Sequence, residues 1–462
     1  MNVQQTITPV DGSVYVERPF ASAAQINASF DRAVKAQAAW ALTTLEQRQD
    51  YCRRFCAALL SHTDEIALEI SWSMGRPISQ TPNEVRSCVE RAQFMIDEAP
   101  AGLADLDPGP KPGFKRYVKR VPLGVVFVIA PWNYPLLTTV NSVVPAILAG
   151  NAVVLKHAPQ TQLCAERFAQ AFAEAGLPEG VFQYLHLTNQ DAEALIKDSR
   201  VNHVNFTGSV ATGHLVQRAA ADRFISVGLE LGGKDPGYVR PDADVKFAAE
   251  TLMDGAIFNS GQCCCGIERI YAHESVYDEF VEHAVNFTNA YRLGNPLQQD
   301  TNLGPVVTAK AAATIRAQMQ DAIAQGAKPL IDTSRFEADA QGTAYLAPQI
   351  LVNVDHSMRF MTEETFGPNV GIMKVKGDED AIRMMNDSSY GLTAAIFTRD
   401  LAAAESIGGR VATGTVFLNR CDALDPALPW VGTKDTGRGY TLSRWGYETL
   451  TRPKSYHLRL AE

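Results

Sequence analysis

Three consecutive cysteines, Cys263, Cys264 and Cys265, sit in the segment SGQCCCGIER that runs from Ser260 to Arg269. A cysteine becomes a nucleophile when its pKa is lowered or a base lies near, and when a donor awaits the developing oxyanion. Three neighbours in sequence are expected not to face one site together. Taken alone, the triplet is equally a buried loop of small apolar side chains. No metal is assigned to it: there is no C-x-x-C spacing, and His273 and His283 fall on separate elements.

Two further segments carry groups that such a thiol could use. Glu230, in LELGGKDP, is placed at the end of a strand, just before Leu231, Gly232 and Gly233. Glycines there let a ligand approach the backbone, although an isolated carboxylate in this context reads as a solvated loop acid. Residues Asn205 to Gly213, NFTGSVATG, follow a strand and open a helix. Gly208 permits a tight turn, and the helix N-terminus offers N–H groups to a pyrophosphate. The segment is not a G-x-G-x-x-G, and by itself it has the form of an ordinary β-to-α turn.

The elements that position these groups follow from periodicity. From about Ser22 to Ala99 the spacing is helical, with segments Gln25–Trp40, Leu45–His62 and Thr63–Met74. A break rich in proline and glycine follows, in which Arg116–Val121 reads as an exposed strand. Strands and helices then alternate. Strands are expected at Gly124–Ile129, Ala152–Lys156, Phe182–Leu187, Val201–Phe206 and Ile225–Leu231, with helices at Leu136–Leu148, Cys164–Ala175, Asp191–Lys197 and Val210–Ala221. This order predicts right-handed βαβ units and a doubly wound parallel sheet, which binds dinucleotides at the strand C-termini. A second α/β stretch begins with helix Val245–Phe258 and strand Arg269–Ala272 and runs to about Phe417. The tail Lys454–Leu460 alternates like a strand.

Bulk composition narrows the function classes. The chain has 462 residues, of which 46% are hydrophobic and 20% charged, with a formal net charge of −9. That length calls for more than one packed core, and the acidic balance argues against nucleic acid as a partner. No basic segment followed by an apolar one opens the chain, and consecutive cysteines make a poor disulfide framework, so a cytoplasmic protein with reduced thiols is expected. The stretch Val121–Leu155 lacks charge, yet Pro122, Pro131, Pro135 and Pro145 interrupt it. It reads as buried strand, loop, helix and strand, and no membrane span is expected.

Together the segments resemble one family. IAPWNYP (Ile129–Pro135), FTGS (Phe206–Ser209), LELGGK (Leu229–Lys234), GQCC (Gly261–Cys264) and EETFGP (Glu363–Pro368) occur in the order found in the aldehyde dehydrogenase superfamily. The interval from Glu230 to Cys264 fits it too, and the resemblance covers essentially the whole chain. It implies an α/β fold: a Rossmann-like NAD(P)-binding domain (1–103 and 123–233), a second α/β catalytic domain (234–435), and a small β oligomerisation arm (104–122 and 450–462). It implies oxidation of an aldehyde to the carboxylic acid, with NAD as acceptor and NADP admissible. Cys264 is then the nucleophile, with Cys263 and Cys265 as packing neighbours. Asn133 and the Cys264 N–H would hold the oxyanion, and Glu230 would activate water to hydrolyse a thioester. Relatives that pass the acyl group to coenzyme A lack that glutamate, which weighs against a CoA-acylating enzyme. The presence of Cys264, Glu230 and Asn133 weighs against a catalytically silent relative.

For the cofactor, the resemblance implies Lys156 at the adenosine ribose, Gly208 and Ser209 at the pyrophosphate, and Trp132 and Leu231 along the cleft. Glu364 would meet the nicotinamide ribose, with Phe366 packed nearby. Where the family has a ribose-binding glutamate this chain has Pro159, which removes a barrier to the 2′-phosphate of NADP. The run KHAP (Lys156–Pro159) resembles a bacterial succinate-semialdehyde dehydrogenase subgroup. Thr441 stands where many members carry a proton-relaying glutamate. The substrate pocket implied by the resemblance is walled by Tyr134, Thr138, Asn141, Phe258, Leu424 and Trp430. None of these is cationic, so a neutral aliphatic or aromatic aldehyde is expected. Succinate semialdehyde is the alternative, with Arg420 as its anchor at the pocket mouth. The arm strands imply at least a homodimer, or a homotetramer.

Overall fold

The computed structural model describes residues 3–461. Among them lie two large sheets, each flanked by helices, an α/β architecture. The first sheet has six strands in the spatial order Gly437–Arg438, Ser226–Glu230, His203–Thr207, Val125–Ile129, Ala152–Lys156 and Phe182–Tyr184. All pair in parallel except Gly437–Arg438, which runs antiparallel to Ser226–Glu230. The chain starts the parallel set at Val125–Ile129, winds outward to one side and then returns to wind to the other. The order therefore reverses between Val125–Ile129 and His203–Thr207, and a crevice opens at such a switch point beyond the strand C-termini.

Period-two alternation explains why this sheet is buried on both faces. Val126, Val128, Val153 and Leu155 pack with Phe55, Ile96 and Phe168 on one side. Val125, Phe127, Ala152 and Val154 pack with Phe30, Leu195 and Leu229 on the other. The charge-free stretch is thus strand, loop, helix Pro135–Leu148 and strand, as expected. Among the described residues no helix is long and apolar enough to cross a membrane.

The second sheet has seven strands: Lys328–Pro329, Gln349–Val352, Asn369–Val375, Ile267–His273, Asp235–Val239, Thr393–Phe397 and Thr415–Leu418. Only Lys328–Pro329 is antiparallel to its neighbour. Strand Phe114–Pro122 pairs antiparallel with Thr451–Arg459, and Tyr117 stacks on Tyr456 at 4.5 Å between ring centroids. The N-terminal helices start where their caps dictate. Ser22 with Gln25 and Thr44 with Gln47 form capping boxes for Ala23–Trp40 and Leu45–Ser61.

Several boundaries differ from those read in the sequence. A hairpin, Val3–Ile7 with Val14–Pro19, precedes the first helix and was not expected. Its strands are short and polar and carry little periodic signal. Phe182–Tyr184 ends three residues earlier than expected, its ladder stopping at the Leu155–Tyr184 pair. The tail strand begins at Thr451, since Pro122 extends its partner.

Candidate active site

Two loops bring the reactive side chains together. Helix Val245–Ile257 ends in a loop where Asn259, Ser260 and Gly261 all have left-handed backbones, with φ of 53°, 57° and 71°. Such a run persists only where surroundings hold it. Here Ser260 Oγ donates to the Gly304 carbonyl at 2.8 Å, Gln262 Oε1 accepts from Val307 N at 2.6 Å, and Gln262 Nε2 donates to the Asn259 carbonyl at 3.1 Å. The loop delivers Cys264, half-buried, onto a cavity of about 340 Å³. Gly233 packs so closely on it that a β-carbon there would strike the Cys264 carbonyl oxygen. The glycines of LELGGK thus admit other parts of this chain, not only a ligand.

The triplet does not behave as the sequence suggested. All three sulfurs lie within 4.8 Å of one another. Cys263 and Cys265 are core residues, as packing neighbours would be, but both thiols also reach Asp422 Oδ1, at 2.9 and 3.0 Å. The adjoining thiols of Cys263 and Cys265 favour a thiolate on Cys264 and lower it to about 6, against the opposing effects of burial and the nearby Asp422 and Glu230. The proton is left on its neighbours: Cys263 is pushed up to about 12, chiefly by Cys264.

Glu230 closes the strand Ser226–Glu230 and faces the same cavity. Thr441 Oγ1 donates to Glu230 Oε1 at 2.5 Å, and Thr207 Oγ1 to Oε2 at 3.4 Å. Burial pushes the carboxyl above its ordinary range, while these two hydroxyls and the charge of Arg91 pull it back. Thr441, read as a departure from the family pattern, is a direct partner of this acid.

Asn133 is buried beside the thiol loop, its Nδ2 donating to the Gln262 carbonyl at 3.2 Å. What holds it is not legible from its own segment. Buried Arg76 donates to the Asn133 carbonyl, to Asn259 Oδ1 at 3.0 Å and to Glu84. Glu84 Oε1 in turn accepts from Leu136 and Leu137 N–H at 3.0 and 3.2 Å, capping helix Pro135–Leu148. The Arg76–Glu84 pair therefore fixes both the loop and the helix that follows it.

The cavity wall includes Tyr134, Thr138, Asn141, Phe258, Leu424 and Trp430. It does not include Arg420, which is exposed with its guanidinium 5.9 Å from the Phe417 ring. The neighbouring Cys421 and Asp422 line the cavity instead. Its lining cation is Arg91, whose Nη1 donates to the Leu137 carbonyl at 3.1 Å and to Asn141 Oδ1 at 3.5 Å. Asp254 is a further wall residue. Burial pushes it and Asp422 above the ordinary carboxylate range.

The groups read as cofactor contacts flank the switch-point crevice. Lys156 is 5% exposed, and burial alone lowers its pKa, with no charged neighbour to offset that. A buried cation lacking a counter-charge suits an anionic or hydroxyl-rich ligand. Ser209 caps helix Val210–Ala219 through Thr212 N at 3.4 Å. The Gly208 N–H is already donated to the Glu230 carbonyl at 3.0 Å, so Gly208 offers no free donor, and its missing β-carbon makes room for the Phe206 ring. Leu231 N donates to the Thr436 carbonyl at 2.9 Å. Trp132 meets Phe366 edge-on at 5.6 Å. Glu364 accepts from Gly233 N at 3.0 Å and is raised to about 8, first by burial. A buried Lys234–Glu268 pair supports its loop, Glu268 accepting from Thr365 and Phe366 N–H at 2.8 and 2.9 Å. Pro159 is exposed, its carbonyl held by Thr6 Oγ1 at 2.7 Å. His157 is a satisfied structural histidine between Pro135, Ala158 and Thr161.

Residues 2–456 match the model of the aldehyde dehydrogenase family. The chain belongs to that family. It is an enzyme, an oxidoreductase acting on the aldehyde group. It is 34% identical over 441 residues to a succinate semialdehyde dehydrogenase [NAD(P)+], Sad, of Escherichia coli, covering 96% of this chain and 95% of that one. It is 33% identical over 452 residues to a succinate-semialdehyde dehydrogenase [NADP(+)] of Deinococcus radiodurans, covering 97% and 93%. Among solved structures, succinic semialdehyde dehydrogenase from Streptococcus pyogenes with NADP+ superposes with a TM-score of 0.94 at 27% identity, covering 99% and 100%. An indole-3-acetaldehyde dehydrogenase with NAD+ gives a TM-score of 0.94 at 30% identity, covering 99% and 94%. The aldehyde dehydrogenase fold thus extends over the full described chain.

Proposed function

We propose that the protein oxidises an aldehyde to its carboxylic acid with NAD(P)+ as acceptor, by way of a thioester on Cys264. The observation that carries this is the sharing of one cavity by a thiol lowered to about 6 and a buried carboxyl held by two hydroxyls. The Cys264 thiolate adds to the aldehyde carbon, and its oxygen takes the charge. Asn133 Nδ2 and the Cys264 N–H are the donors for that oxyanion. Lys156, Ser209 and Glu364 are the side chains that would hold the nicotinamide dinucleotide, with Trp132, Gly208, Leu231 and Phe366 shaping its cleft. When bound, that cofactor supplies the hydride acceptor. Glu230 then takes a proton from water, which attacks the thioester, breaks the C–S bond and frees the acid. Glu230→Gln tests this directly. A burst of reduced cofactor followed by slow turnover is expected, with free acid as product. Normal steady-state turnover would remove Glu230 from the reaction.

A second reading concerns the substrate. The expectation of a neutral aldehyde rested on pocket walls without a cation, and Arg91 supplies one. Its guanidinium has five donors, of which two are used. The neighbouring acids are pushed towards neutrality by burial, which lessens their repulsion of an anionic substrate. Aldehydes with a carboxylate at the far end, succinate semialdehyde among them, therefore have an anchor in Arg91. Specificity constants for succinate semialdehyde and butanal, in the wild type and Arg91→Leu, separate the cases. Loss of a preference for the semialdehyde in the variant supports the anchor, and a preference for butanal in both keeps the neutral reading.

The first sheet with residues 1–103 and 123–233 forms the nucleotide-binding domain in this reading, and 234–435 the catalytic one. The ribbon of Phe114–Pro122 and Thr451–Arg459 serves assembly in this reading, because the outer edge of Thr451–Arg459 has no strand partner among the described residues. A homodimer is the minimum, and a stable monomer in light scattering would refute it. All eight cysteines are free, in keeping with a reducing, cytoplasmic setting.

A further inference from the structure

Cys263, Cys265 and Asp422 form a closed triangle beside the nucleophile. The two sulfurs are 3.4 Å apart, and both reach the same carboxylate oxygen, at 2.9 and 3.0 Å. Cys264 Sγ lies within 4.8 Å of both other sulfurs and opens on the cavity. Asp422 is itself held in a left-handed backbone, with φ of 48°. The reaction proposed above uses Cys264 directly, and it gives no part to Asp422 or to the closure of the triangle.

The dimensions suit an ion. A tetrahedral zinc with Zn–S of about 2.3 Å and Zn–O of about 2.0 Å sets S···S near about 3.7 Å and S···O near about 3.5 Å. The observed triangle is smaller by a few tenths of an ångström, as shared protons in place of a cation would make it. Two thiols flanking a single residue can turn towards one ion, and thiolates select soft metals.

We propose that Cys263, Cys265, Asp422 and Cys264 bind one soft divalent cation, Zn²⁺ or Cd²⁺, and that the bound ion reversibly withdraws Cys264 from catalysis. The last clause rests on Cys264 being the nucleophile. The ligands coordinate as thiolates and carboxylate, so binding releases to solvent the protons carried by Cys263, Cys265 and Asp422 and changes no oxidation state. The site is a brake on the enzyme, set by free metal and released by chelation.

The test uses the full-length, chelator-treated enzyme titrated with Cd²⁺ in the absence of aldehyde and nicotinamide. The ultraviolet cadmium–thiolate absorption and the thermal midpoint are followed. One ion per chain is expected, with a rise in midpoint. Asp422→Asn and Cys263→Ser/Cys265→Ser are each expected to weaken binding at least tenfold. Zn²⁺ should inhibit the wild type in the same concentration range, with recovery on adding chelator. Unchanged affinity in both variants would overturn the proposal by placing the metal on Cys264 alone. If either variant fails to fold, Cys264→Ser is titrated instead, and unchanged affinity there also overturns it. Because binding is read without turnover, its failure leaves the reaction assignment standing.

Discussion

Replacing Thr441 with valine removes the donor to Glu230 Oε1 and keeps the side-chain shape. A hydrogen bond to a charged group contributes about 1.5–3 kcal/mol, and each pKa unit corresponds to about 1.4 kcal/mol. Losing the bond therefore raises Glu230 by roughly one to two units. Thr207, at 3.4 Å, cannot compensate fully. The sign is fixed: Thr441 stabilises the carboxylate, so its removal favours the protonated acid, which cannot accept a proton from water. The alkaline plateau of steady-state turnover should move up by roughly one to two pH units, so on the acid side of that plateau turnover should fall about ten- to a hundredfold. Acylation depends on Cys264, so the pre-steady-state burst should persist. Thr441→Ser should restore the wild-type profile. Stopped-flow absorbance of reduced cofactor across pH gives both phases. An unshifted turnover profile in Thr441→Val, with the burst intact, would show that the hydroxyl does not govern the base.

Three further outcomes follow from the same geometry. Cys264→Ser should abolish oxidation while cofactor affinity stays within a few-fold, measured by fluorescence titration; retained activity there, with Cys263→Ser dead, would move the nucleophile. Pro159→Glu should raise the ratio of NAD to NADP specificity constants by at least tenfold, since a carboxylate there opposes a 2′-phosphate; an unchanged ratio would place cofactor choice elsewhere. His157 and His203 are lowered by burial to about 4 each, below the ordinary histidine range. The fold keeps both neutral while the unfolded chain protonates, so stability is full above about pH 6.5 and falls as pH drops towards 4, by up to roughly 3 kcal/mol per histidine. Urea melts at neutral and acid pH check this, and His157→Asn should flatten the slope.

Much of the scaffold was legible because it depends on local pattern. The strands Val125–Ile129 and Ala152–Lys156 are buried on both faces, so their apolar runs announced them. Cys264, Glu230 and the FTGS turn each had an ordinary structural reading alone, and became legible only because five motifs stand in the order of one family. What stayed hidden acts across long separations. Arg76 meets the Asn133 carbonyl 57 positions away, and Cys263 meets Asp422 159 positions away. No periodicity encodes such meetings. The periodicity of helix Thr81–Gly102 does not distinguish Arg91, which the fold places on the cavity. In the loop after Phe417, Arg420 is exposed, and its neighbours Cys421 and Asp422 line the cavity.

The antiparallel strand Gly437–Arg438 has a bearing on biosynthesis. It joins the first sheet beside Ser226–Glu230, although the rest of that sheet lies more than two hundred residues earlier in the chain. It also leads straight to Thr441. A ribosome that has translated as far as residue 400 has released both the thiol and the acid, yet neither has its full surroundings. Asp422, Trp430 and Thr441 are still to come. Domains fold as units in the order of their synthesis, and this sheet cannot. Its last strand arrives from the other end of the message, so a chain that ends before Thr441 carries Glu230 with Thr207 as its remaining hydroxyl partner. A chain that stops before Gly437 therefore lacks both the edge strand of the first sheet and the threonine that holds the acid.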